Sequence, residues 1–139
     1  MATLAIHVER DCAVSAAKLW EALVQPVLWW GRDILLEPRV GGEFHEPWQD
    51  ANGLHHTRGK VTVFDPPERL GLSWSDDDWD FETDVTFLIS GEEQGSRITL
   101  CHTGWQAAPG SLREDLVASH SHGWNFHLDN LLACAGESA

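Results

Sequence analysis

Apolar and polar positions alternate from the start of the chain. Leu4, Ile6 and Val8 share one face of Leu4–Arg10, and Ala5, His7 and Glu9 the other, which predicts a strand. The period then changes. Ser15 stands at a helix N-cap position, and Leu19, Trp20, Leu23 and Val24 follow at helical spacing. Pro26 ends that helix and opens a second short one through Trp29-Trp30, closed by Gly31. Short strands come next: Ile34–Glu37, Glu43–Glu46 after a turn at Gly41-Gly42, and His56–Phe64 after the hairpin signal Asn52-Gly53. Pro66-Pro67 separates the last of these from Arg69–Ser75, where Leu70, Leu72 and Trp74 share a face. Thr83–Ile89 and Arg97–Thr103 alternate again, on either side of a loop at Gly91–Gly95. Pro109-Gly110-Ser111 opens a long helix that runs to about Ala135.

Strands joined by short hairpins pair antiparallel. One face of each is apolar, so one face of the sheet must be covered. The only large cover is the last helix, with the early helix pair closing one end. The pattern predicts an α+β domain of two layers, about six or seven strands and one long C-terminal helix, over residues 1–139.

Composition narrows the choice of partner. The chain has 139 residues, 42% of them hydrophobic, enough for a core without disulfide or metal staples. A net charge of -13, with only nine Lys and Arg, repels phosphate backbones and anionic bilayers, so neither nucleic acid nor membrane is an expected partner. No secretory signal is visible, and no apolar run reaches the roughly 20 residues that cross a bilayer. Cys12, Cys101 and Cys134 form neither a metal-ligand spacing nor a disulfide framework, which fits a reducing cytoplasm. Eight tryptophans and no tyrosine supply more aromatic wall than one small core needs.

Candidate chemistry centres on histidines. At about 100° per residue, His120 and His127 fall on the same stripe of the last helix as Leu116, Trp124, Leu131 and Ala135, with Gly123 beside them. His102 shares its strand face with Ile98 and Leu100. Three inward histidines suit polar anchors of a pocket or a general base. His120 and His127 are two helical turns apart, about 10.5 Å along the axis, too far to share one zinc from adjacent turns. No metal and no cofactor is therefore expected. His45 or Glu46 faces inward depending on a register the sequence leaves open, with solvent exposure preferred. His55-His56 is placed in solvent, and Asp76–Asp80 is read as an acidic loop. Trp48, Trp79 and Trp105 are assigned to loops; they and the outward Phe126 are candidate contacts for a pocket mouth or a homodimer.

A resemblance rests on motifs spread over nearly the whole chain. They begin with Val14-Ser15-Ala16-Ala17-Lys18-Leu19-Trp20-Glu21-Ala22-Leu23, Trp29-Trp30, Arg39-Val40-Gly41-Gly42-Glu43-Phe44 and Gly59-Lys60-Val61. Asp65-Pro66-Pro67-Glu68-Arg69-Leu70, Ser73-Trp74, Val85-Thr86-Phe87, Ser96-Arg97-Ile98-Thr99-Leu100 and His122-Gly123-Trp124 follow, with Leu128, Leu131 and Leu132. In this order they resemble the START-like (SRPBCC) superfamily, and within it the branch named after activators of the heat-shock protein 90 ATPase. The resemblance implies the helix-grip fold of lipid-transfer domains and the birch pollen allergen, a curved sheet around a C-terminal helix with a cavity between them. It extends to co-chaperone domains, polyketide cyclases and antibiotic self-resistance proteins. A chaperone partner is not expected, because the eukaryotic activators carry an additional N-terminal domain and this chain begins at its first strand. The expectation is a binder of a small hydrophobic or aromatic ligand, with Trp74, Phe87, Leu100, His102, His120, Trp124 and His127 as cavity-lining candidates. A cyclase- or hydrolase-like enzyme and a protein-interaction module are the alternatives; no constellation of residues marks a catalyst.

Overall fold

The computed structural model describes residues 5–137. Seven strands form one antiparallel sheet: β1 (Ile6–Cys12), β2 (Leu35–Leu36), β3 (Glu43–Asp50), β4 (Gly53–Asp65), β5 (Arg69–Asp76), β6 (Thr83–Glu92) and β7 (Gly95–Thr103). Their order across the sheet is β1-β7-β6-β5-β4-β3-β2. Every hairpin from β3 onward joins neighbours, and only β1 must travel, to the far edge beside β7. Leu4, which the alternation gives to the first strand, lies outside the described residues.

The helices lie where caps and periodicity put them. Ser15 Oγ accepts from the Lys18 amide at 3.3 Å and starts α1 (Ala16–Leu23), whose Leu19, Trp20, Ala22 and Leu23 are buried. Pro26–Leu28 forms a 3-10 turn behind it, and the Trp29 indole N–H donates back to the Ala22 carbonyl at 2.8 Å. The long helix α2 runs from Gly110 to Glu137. Arg113 pins its start: its guanidinium donates to the carbonyls of Trp105, Gln106 and Ala108. Arg10 ties its middle to β1, donating to Asn125 at 2.7 Å and Asp129 at 2.9 Å.

One core fills the space between sheet and helix. Ile6, Val8, Leu70, Leu72, Val85, Phe87, Ile98 and Leu100 come from the sheet, and Trp124, Leu128, Leu131 and Ala135 from α2. The arrangement is the expected α+β helix-grip fold. Several local readings change. β3 runs on to Asp50, so Trp48 is a strand residue and not a loop residue. The hairpin turn is Ala51-Asn52, and Gly53 already pairs with Asp50. Asp76 ends β5 as a buried residue, so the acidic loop begins after it. Trp105 sits in a 3-10 turn, 1% exposed, because its indole N–H reaches the His102 carbonyl at 3.1 Å and its ring packs at a tilt against the His102 ring.

Candidate functional site

A cavity of about 380 Å³ opens between the inner face of β3–β5 and the middle of α2. Both walls follow from simple periodicities. On the sheet, Glu46 pairs with Thr57 and Thr57 with Asp76, so three polar side chains stand in one row across β3, β4 and β5. Residues two positions along a strand share a face, which sets Trp48 beside Glu46 and Trp74 beside Asp76. On the helix, Leu116, Ser119, His120, Gly123, Trp124 and His127 step by three, one, three, one and three, a single stripe. No atom lies within 4 Å of where a Gly123 Cβ would stand, leaving out its chain neighbours and the backbone of its own helix. The missing side chain keeps that part of the cavity open.

The polar row is oriented by tryptophans. The Trp48 indole N–H donates to Thr57 Oγ1 at 2.9 Å, and the Thr57 hydroxyl donates to Asp76 Oδ1 at 2.6 Å. The Trp30 indole N–H donates to Glu46 Oε2 at 3.2 Å. Burial pushes the Glu46 carboxyl up to about 7, against the Trp30 hydrogen bond, and Asp76 adds to the rise. Burial also raises Asp76, opposed by the Thr57 hydrogen bond and by His120.

Hydrogen bonds fix the histidine tautomers. His120 Nδ1 lies 2.8 Å from the Leu116 carbonyl, which can only accept, so Nδ1 carries the proton. Its Nε2 then accepts from the Trp74 indole N–H at 3.3 Å. The Thr83 hydroxyl donates to the Trp74 carbonyl at 3.1 Å, so its oxygen accepts from His102 Nε2 at 2.7 Å. His102 Nδ1 accepts from the Trp124 indole at 3.0 Å, leaving a neutral ring with both nitrogens used. Burial drives the His102 pKa down to about 2, with a further push from His120, and that of His127 to about 4. Burial lowers His120 as well. His127 Nδ1 is buried without a hydrogen-bond partner, between the rings of Trp30 and Trp124.

Four of the seven sequence candidates line the cavity: Trp74, His120, Trp124 and His127. The other three lie beneath it. Phe87 and Leu100 are packed in the core, Phe87 edge-on to Trp124, and His102 is a fully buried bracket between Thr83 and Trp124. Glu46 turns inward and His45 outward, where His45 Nε2 meets His56 Nδ1 at 2.8 Å. His55 and His56 are half-buried and not free in solvent; His55 stacks on Trp48 and bonds Asp50 at 2.9 Å. Trp79 folds over the Asp76–Asp80 turn onto Phe81, Trp105 and His120. Phe126 is 61% exposed on the back of α2. Sequence reading missed Glu46, Trp48, Thr57 and Asp76 as a set. A signal existed in the alternation of Phe44, Glu46 and Trp48, but Pro47 and the short visible strand hid it.

Among the described residues, no group of three or more His, Cys, Asp or Glu side chains is arranged to hold a metal ion. None of their helices is long and apolar enough to cross a membrane.

Sheet, gripping helix and intervening cavity define a helix-grip domain of the START-like class. The chain belongs to the family of activator of Hsp90 ATPase homolog 1-like proteins, whose model matches residues 13–136. Solved structures share its fold. A Rhodobacter sphaeroides protein is 22% identical, with a TM-score of 0.76 over 96% of this chain and 92% of its own. CalU16 from Micromonospora echinospora is 22% identical, with a TM-score of 0.71 over 94% of this chain and 75% of its own. DynU16, a protein in the dynemicin biosynthetic locus, is 20% identical, with a TM-score of 0.77 over 95% of this chain; the chain spans 47% of its length. No curated protein matches the chain in sequence.

Proposed function

We propose that the protein binds a small molecule with an aromatic or apolar body in the cavity between β3–β5 and α2. The observation that carries this reading is the cavity itself: about 380 Å³, walled by the rings of Trp48, Trp74 and Trp124, with polar side chains grouped on one row. That volume and that mixture of apolar wall with a few polar anchors suit a small ligand. The tryptophan indoles spend their N–H groups on fixed protein acceptors, so their ring surfaces are held still for a guest.

The test uses the neutral fluorescent probe N-phenyl-1-naphthylamine and the open space at Gly123. Saturable 1:1 binding is expected. Gly123→Leu, which projects an isobutyl group into the cavity from a helix position that tolerates it, should weaken binding tenfold or more while the circular dichroism spectrum stays native. Equal binding by Gly123→Leu would place the probe elsewhere and remove this reading.

A further inference from the structure

The cavity carries an unusual charge balance. Among the described residues no Lys or Arg lines it. Its two histidines supply no positive charge at neutral pH: burial keeps His120 and His127 neutral, and the His120 nitrogens are already committed to Leu116 and Trp74. Glu46 and Asp76 stand on the same face of the sheet with Thr57 between them, so their Cα atoms are about 10 Å apart at two strand spacings. Both carboxyl-bearing residues and Thr57 line the same cavity, so a guest headgroup entering it meets this row. Their protein partners, Trp30 and Thr57, are neutral donors. Trp48 and Trp74 line the cavity beside this row on the two strands.

From this juxtaposition we infer that the guest is an organic cation, a quaternary ammonium or protonated amine on an aromatic or apolar body, held between Glu46 and Asp76 against the tryptophan faces. A cation gains from the negative face of each indole ring and from the carboxylates. A neutral guest of the same shape gains only the apolar contact. An anion meets the carboxyl groups of Glu46 and Asp76 in a chain of net charge -13. Binding a cation also favours ionisation of Glu46, whose carboxyl is otherwise pushed up to about 7 by burial. This inference rests on the cavity being a binding site, and it adds the sign of the ligand's charge.

Two shape-matched probes separate the claims: phenyltrimethylammonium and tert-butylbenzene, which differ by a charged nitrogen in place of a carbon. Each is titrated against the N-phenyl-1-naphthylamine complex at pH 8, with 4-tert-butylbenzoate as the anion. The cation is expected to displace the dye at least tenfold more tightly than the neutral probe, and the anion more weakly than either. Glu46→Gln and Asp76→Asn, which keep shape and hydrogen-bond acceptors, should each cut the cation-to-neutral affinity ratio at least fivefold. Native near-ultraviolet circular dichroism of both variants guards against misfolding. If the neutral probe or the anion competes as well as the cation, or if neither variant moves the ratio, the charge assignment is wrong while the cavity reading stands. If the dye itself fails to bind, both fall.

Discussion

His102 shows how one residue in this protein is assigned by its neighbours. Facing the interior from β7 beside Ile98 and Leu100, it suggests a pocket anchor, yet its ring has no nitrogen to offer. The hydroxyl of Thr83 accepts on one side and the indole of Trp124 donates on the other. The work of this histidine is to hold Trp124 against the cavity and to join β6, β7 and α2. Thr83→Val should therefore destabilise the fold by about 1–3 kcal/mol, since it strands a buried N–H and frees the Trp74 carbonyl. Urea denaturation at pH 7 measures this; a change below a few tenths of a kcal/mol would show that the bracket has little weight.

At the scale of elements, β4 and β5 do not pair evenly. Their register shifts between Val61 and Val63, and Ser73 turns its hydroxyl to the Lys60 amide at 2.8 Å. Gly59, two residues before the shift, lies with its α-carbon against β5: a Cβ there would fall 1.8 Å from the Ser73 carbonyl oxygen. Only glycine permits that approach. Gly59→Ala is expected to push β4 from β5 and cost about 2–3 kcal/mol. Faster hydrogen exchange confined to β3–β5 is the accompanying sign; uniform loss across the sheet would contradict a local cause. On the opposite wall, Gly123 leaves cavity space that a larger side chain would fill. The two glycines are alike in composition and opposite in purpose, one for close contact and one for room.

For the whole molecule, buried titratable groups link stability to pH. His102 and His127 bind protons in the unfolded chain near pH 6.5 but resist them when folded, to about 2 and about 4. Their contribution is present above pH 6.5 and is lost as the pH falls. Glu46 has the opposite sign: its folded value of about 7 lies above the ordinary 4.5, so it favours the fold below pH 4.5 and disfavours it as pH rises through 7. Asp76, raised, acts in the direction of Glu46, and His120, lowered, in the direction of the other histidines. Counting His102, His127 and Glu46 alone, the unfolded chain binds about one proton more than the folded one between pH 4.5 and 6.5. Stability should therefore fall by about 1.4 kcal/mol per pH unit on acidification through that window. Glu46→Gln removes the offset and should roughly double the slope. Denaturation midpoints at pH 6.5 and 5.0 decide the matter, and a flat profile would mean that these groups titrate as if exposed.

The two layers are written in local periodicity. Alternation in β1, β6 and β7 needs only neighbouring residues to be legible, and so do the Ser15 cap and the stripe of α2 that carries His120, Trp124 and His127. Each is a local property of period 2 or 3.6, written within one element. Tertiary structure alone decided what the layers enclose. Whether Glu46 or His45 points inward depends on the pairing of β3 with β4, and a one-residue slip would have exchanged them. The row Glu46–Thr57–Asp76 joins three strands far apart in the chain, so no window of sequence contains it. The difference between His102 and His127, one saturated with hydrogen bonds and one left with a buried free nitrogen, is likewise set by which side chains from other elements arrive beside them.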